Sequence, residues 1–124
     1  MLVTKIVIIS VLIVISGISK AVQDKIQFHF YESRFKKLGT FWNPELSWEN
    51  KWKDGDPKKG ERFPGSSTIF VSLTDAWHLF GLIRNISLVL CIPVISGVWW
   101  LIFLYPVFFG TFHTFFTWVF SKKS

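Results

Sequence analysis

The stretch Ile86–Ser121, ISLVLCIPVISGVWWLIFLYPVFFGTFHTFFTWVFS, contains no Lys, Arg, Asp or Glu. As one straight helix it would reach about 54 Å, against a hydrocarbon core of about 30 Å. A single perpendicular span therefore cannot hold it. Pro106 divides the run into Ile86–Tyr105, which fits a full crossing, and Pro106–Ser121, which is slightly short and either crosses back or re-enters. Gly97 and Gly110 are expected points of bending or close helix approach. Backbone groups released near Pro93 and Pro106 must find partners in neighbouring helices, because lipid supplies none.

Immediately upstream, Ser72-Leu73-Thr74-Asp75 has the form of a capping box, which predicts a helix start there. From Leu73 the apolar Trp77, Phe80 and Ile83 recur at helical spacing, while Asp75, His78 and Asn85 share a polar stripe. This amphipathic lead-in either lies at the interface or runs straight into the membrane.

At the other end, Ile6–Ser19 is uncharged and bounded by Lys5 and Lys20. That is short for a crossing, but snorkelling lysines let Leu2–Val22 serve as one span. The competing reading is a cleaved signal peptide with a small-x-small site at Ser19-Lys20-Ala21. A lysine inside that motif favours a retained anchor.

Between the apolar ends lies a different material. The chain carries a net charge of +6, 19% aromatic residues and 7 tryptophans. Most of the charge, and Trp42, Trp48 and Trp52, fall within Gln23–Val71. Ile26, Phe28, Phe30 and Phe35 could continue a helix out of the membrane as far as Gly39, with Lys36 and Lys37 at the negative end of its dipole. A second short helix is signalled by Asn43 as cap, Pro44 at the first position and Glu45 in the first turn. It is expected to end at Asp54-Gly55, with Trp48 and Trp52 on one face. Gly55-Asp56-Pro57, Gly60 and Phe63-Pro64-Gly65 then mark an irregular loop.

The expected organisation is an anchor over residues 1–22, a basic Trp-rich connector over 23–71, and a lead-in helix with a transmembrane hairpin over 72–124. Lys20, Lys25, Arg34, Lys36, Lys37 and Arg84 flank the apolar segments on the connector side. If the last run crosses twice, Lys122 and Lys123 join them. Three crossings then gather nearly all positive charge on one face, predicted to be cytoplasmic, with the N-terminus outside. A first segment acting as a signal anchor would instead put the connector outside.

Few residues form a pattern that carries chemistry. His29 with Glu32, and Asp75 with His78, each sit one turn apart, but HExxH and cysteine clusters are lacking, so no metal or other cofactor is expected. The one cysteine, Cys91, reads as a small buried hydrophobe. His113, between Thr111 and Thr114, is an ionisable group at membrane depth for which an interhelical hydrogen bond would suffice. Trp42, Trp48 and Trp52 interleave with Lys51, Lys53, Lys58 and Lys59, a mixture that suits single-stranded nucleic acid or an anionic membrane surface. With apolar segments on both sides, lipid or a membrane partner is the expected ligand and nucleic acid is not. The indoles packing into a small core of the connector is an equal alternative.

The run Phe41-Trp42-Asn43-Pro44-Glu45-Leu46-Ser47-Trp48-Glu49-Asn50-Lys51-Trp52-Lys53 is followed by Gly55-Asp56-Pro57, Phe63-Pro64-Gly65-Ser66-Ser67 and Thr74-Asp75-Ala76-Trp77-His78. This middle third resembles a group of small uncharacterised bacterial membrane proteins with a WNPxxSWxNKW…GDP…FPGSS…TDAWH pattern. The resemblance implies a bacterial membrane and a connector of fixed shape, and it assigns no catalytic residue.

The sequence thus predicts an all-α membrane protein: an N-terminal transmembrane helix, a basic connector with short helices and an irregular loop, and a C-terminal proline-broken hydrophobic hairpin. The expected role is a non-enzymatic accessory or structural subunit in a bacterial cytoplasmic membrane, packing on a larger complex or on its own copies. Lys36, Lys37, Trp42, Trp48, Trp52, Asp75, Trp77 and His78 are the candidate contacts to partner or lipid. The alternatives are a self-associating, holin-like pore and a lipid-headgroup enzyme that uses Asp75 and His78, with His29 or Glu32.

Overall fold

A computed structural model describes residues 1–120. Ser121 at the end of the apolar run, and Lys122 and Lys123, lie outside the described residues. The described residues form three α-helices: α1 (Leu2–His29), α2 (Ala76–Ser96) and α3 (Leu104–Thr114). Short 3-10 turns fill the connector, and among the described residues there is no strand, only an isolated antiparallel bridge between Trp52 and Glu61. Three helical stretches, Leu2–Glu32, Ala76–Ser96 and Trp99–Val119, are long and apolar enough to cross a membrane.

The chain divides into two units. Among the described residues the first comprises Met1–Ile13 and residues 85–120, and the second comprises Val14–Arg84.

In the second unit α1 buries a narrow stripe. Ser16, Ser19, Gln23, Ile26 and Phe30 are buried at alternating spacings of three and four, the seam that lets one helix lie along another. Its members are mostly small or polar, which permits close approach. Gln23 donates its Nε2 to the carbonyl of Trp77 at 3.0 Å, and Gly81 of α2 lies beside it. A Cβ at Gly81 would fall 2.7 Å from that same nitrogen. Past His29 the backbone tightens into Phe30–Glu32, breaks at extended Ser33 (φ −99°, ψ 165°) and resumes as Arg34–Lys37. Ser33 makes this break by accepting from the Phe35 amide and donating to the Phe30 carbonyl at 2.6 Å. The chain leaves through Leu38 and left-handed Gly39 (φ 108°).

Two expectations, one for the connector and one for the lead-in helix, are corrected. The helix predicted after Asn43 is a 3-10 turn over Ser47–Lys51, and it stops because Trp52 is extended (φ −119°, ψ 150°) to pair with Glu61. Trp48 and Trp52 therefore share no helix face. Asn43 instead caps a separate turn just before it, accepting from the Glu45 amide at 2.9 Å, and the cap position of Ser47–Lys51 is Leu46. The capping box is displaced as well: Ser72 lies in the 3-10 turn Val71–Leu73, and α2 starts three residues later, directly after Asp75.

In the first unit the break falls elsewhere than at Pro106. The lead-in and the first hydrophobic run are one helix, α2, which ends at Ser96 where Gly97 adopts φ 74°. The Gly97 amide closes on the Pro93 carbonyl at 2.8 Å, and the Ser96 hydroxyl accepts from the Val98 amide. A left-handed residue ends a helix, whereas proline in a first turn costs no hydrogen bond. Pro106 is in the first turn of α3, so it helps to start a helix rather than break one. Trp99–Phe103 is a 3-10 lead into α3, and Phe115–Val119 continues it as a π-turn.

Burial is inverted relative to a water-soluble core. Among the described residues the buried apolar side chains are Ile26, Phe30 and Ala76, while ten polar or charged residues are buried. Of the third apolar stretch, nothing is buried. Within the apolar stretches Ser10, Ser96 and Thr111 each donate to the carbonyl four residues back, whereas Gln23 reaches across to the Trp77 carbonyl and keeps its Oε1 buried without a partner among the described residues. The local hydroxyl bonds are what a solvent without hydrogen-bonding capacity requires.

Candidate functional site

The candidate contacts gather in the second unit, where the connector is clamped to the start of α2. Four unpaired amides at a helix N-terminus need acceptors. Here the Ala76 amide bonds the Phe41 carbonyl at 2.8 Å, and the Asp75 carboxylate accepts from the His78 amide at 2.7 Å. The same carboxylate, 3% exposed, lies 2.7 Å from His78 Nδ1. The contact braces the helix cap with an imidazole whose other nitrogen, Nε2, points away from the carboxylate.

Three further bonds fix the connector around this cap. Asn50 donates to the Thr74 carbonyl at 2.9 Å, fully buried Ser66 donates to the Lys51 carbonyl at 2.6 Å, and Tyr31 donates to Glu45 at 2.9 Å. Backbone pairing of Lys53 with Gly60 and of Arg62 with Lys51 closes the loop between them. Glu61 then turns its carboxylate onto the Ser67 hydroxyl and the Gly65 amide, both at 2.6 Å. These two donors, the Ser67 hydroxyl first, hold its pKa below the ordinary glutamate value.

The tryptophans divide into two kinds. Trp42 stacks on Phe35 (5.1 Å between ring centres, 8° between planes) and leans on Phe80 of α2, so it packs inside the connector. Trp52 is half-buried in the bridge to Glu61. Trp48 and Trp77 remain 45% and 39% exposed. The Trp77 indole donates to Gln27 at 3.3 Å and meets the His78 ring edge-on. Lys36 and Lys37 are exposed and border an open recess with Glu32, Ser33 and Arg34.

The two His–carboxylate pairs stay apart in role. His29 faces Glu32 at 3.5 Å on the surface, and among the described residues no three His, Cys, Asp or Glu side chains come together as a metal-holding group. His113 stacks on Phe109 along α3.

Reasoning from sequence missed Gln23, Asn50, Ser66 and Glu61. An amide in a helix otherwise read as leaving the membrane was the one visible signal for Gln23. The others act through backbone carbonyls and amides brought from distant positions, which leaves no pattern in a sequence. No family model, curated protein or solved structure matches this chain.

Proposed function

We propose that the chain is a three-span accessory or structural subunit of a bacterial cytoplasmic membrane, docking a larger membrane complex through its connector. The observation that carries this reading is the hydrogen-bonded clamp in which Phe41 and Asn50 bond Ala76 and Thr74 at the start of α2 and Ser66 bonds Lys51. A passive tether between helices needs no buried polar network, since ordering each residue costs about 1–2 kcal/mol of backbone entropy. A connector of fixed shape, with Trp48 exposed on it and Trp77 exposed at the start of α2, suits recognition of a protein surface.

The inverted burial supports lipid or a neighbouring protein as the medium around the helices. In the first unit a Cβ at Gly97 would lie 3.8 Å from Lys5 Nζ, which agrees with an N-terminus and an α2–α3 turn on one side of the bilayer. The cations that flank the apolar stretches in the sequence, Lys20, Lys25, Arg34, Lys36, Lys37 and Arg84, make the connector side cytoplasmic by the positive-inside tendency.

Gentle detergent extraction of the tagged protein from its own membrane, with sizing and quantitation of what co-purifies, tests the docking. A stoichiometric larger partner that is lost on replacing Trp48 and Trp77 with alanine supports the proposal. A clean monomer contradicts it, and a defined homo-oligomer that conducts ions in vesicles replaces it with a pore.

A further inference from the structure

We infer that the recess beyond the end of α1 binds the phosphate of an anionic phospholipid headgroup, with Arg34, Lys36 and Lys37 as its cationic wall. The inference rests on α1 crossing a membrane, as proposed above, and is independent of any docked protein.

The recess is open, about 360 Å³, and lined by Glu32, Ser33, Arg34, Lys36 and Lys37. That volume falls within the roughly 300–1,000 Å³ usual for small-ligand sites. Its wall has a fixed geometry. Ser33 is 7% exposed and ties the turn to the Phe30 carbonyl, so the three cations project from an anchored 3-10 turn rather than a loose tail. In 3-10 geometry positions three apart eclipse, which brings Arg34 and Lys37 to one side.

The charges there are uncompensated. Lys20 and Lys59 pair with Asp24 and Asp54, each at 3.1 Å, but among the described residues no carboxylate pairs with Arg34, Lys36 or Lys37. Glu32 on the rim faces His29 instead, at 3.5 Å. Three cations against one carboxylate leave a net positive pocket that suits a phosphodiester, and they repel the ammonium of a zwitterionic headgroup.

The position fits the same ligand. The 28 residues of α1 rise about 42 Å, about 12 Å more than a hydrocarbon core, so its end stands at the outer side of the headgroup layer. Arg and Lys stems reach back toward the phosphates from there. Exposed Phe28 and Tyr31 flank the turn, as aromatic residues do at an interface.

The test is native mass spectrometry of the full chain released from micelles containing equal phosphatidylglycerol and phosphatidylethanolamine. The expected result is selective retention of phosphatidylglycerol, reduced on the order of tenfold in Arg34→Gln/Lys36→Gln/Lys37→Gln. The equally charged control Lys51→Gln/Lys53→Gln/Lys58→Gln should retain it, as should Lys36→Arg/Lys37→Arg, which keeps the wall if glutamines disturb the turn. Equal retention of both lipids, or equal loss in the control, overturns the inference. Displacement by excess inorganic phosphate makes the ligand a free anion and overturns it too, as does an acidic protein bound in place of lipid. Failure of the chain to insert would strike at the membrane-crossing reading instead, and alkaline carbonate extraction reports that separately.

Discussion

Replacing Gly81 with alanine should destabilise the chain even though alanine is the better helix former. On an exposed helix the change gains about 1 kcal/mol. Here the new Cβ would lie 2.7 Å from Gln23 Nε2 and 3.5 Å from its Cδ. The end of an exposed glutamine would swing aside cheaply, but Gln23 is 3% exposed and bonded to the Trp77 carbonyl. Forcing it away costs about 1–3 kcal/mol of overpacking and about 1 kcal/mol of lost hydrogen bond. The net effect is destabilisation by about 1–3 kcal/mol. The Gln23→Ala background removes the obstacle, so there Gly81→Ala should stabilise by about 1 kcal/mol. Thermal or denaturant unfolding of the four proteins in one mild detergent, followed by far-UV circular dichroism, measures the cycle. A change of sign between backgrounds is the expected outcome. Stabilisation by Gly81→Ala in both would refute the close approach of the two helices.

Other perturbations probe the cap, the loop and the helix break. Asp75→Ala should cost about 1–2 kcal/mol and speed amide exchange in the first turn of α2, whereas Asp75→Asn, which keeps an acceptor for the His78 amide, should cost less. Glu61 has its folded pKa below the unfolded one, so its contribution is complete above the ordinary glutamate value of 4.5 and is lost as pH falls through the lowered folded value. Connector tryptophan fluorescence should follow that acid transition, and Glu61→Gln should remove it. Gly97→Ala forces a side chain into φ 74° and should cost about 1–2 kcal/mol in the same unfolding assay, while Pro106→Ala should cost about 1 kcal/mol or less. Equal effects at the two positions would contradict the placement of the turn.

The apolar runs were legible because lipid-facing helices require little beyond length and the absence of charge. Both ends of the chain satisfy that on sight, and the structure has three stretches fit to cross. Where the helices break was less legible. Pro106 looked like the divider because proline ends helices in general, but its effect depends on register, and in the first turn of α3 it has no hydrogen bond to lose. The sequence marks Gly97 as a point of bending or close helix approach, and its left-handed backbone makes it the turn. Ser72 and Asp75 illustrate the same difficulty at the other end of α2. Both are good caps, and the tie is broken by the Phe41 carbonyl, which reaches the Ala76 amide from a distant part of the chain.

The candidate site was legible as a region and only partly as residues. Asp75 and His78 were visible because their spacing puts them one turn apart, and they do meet. Trp48 and Trp52 were paired on a helix that the Trp52–Glu61 bridge interrupts. That bridge depends on Gly60 and Gly65 taking left-handed conformations and on Ser66 reaching the Lys51 carbonyl, all interactions of the tertiary fold.

The most direct test of the account is side-specific thiol labelling of single cysteines at Thr4, Lys53 and Ser96 in a Cys91→Ser background, in intact cells and in inverted vesicles. The account predicts that Thr4→Cys and Ser96→Cys react from outside the cell and Lys53→Cys only from the cytoplasmic face. Labelling of Lys53→Cys and Ser96→Cys from the same side would contradict it, because α2 could not then cross the membrane.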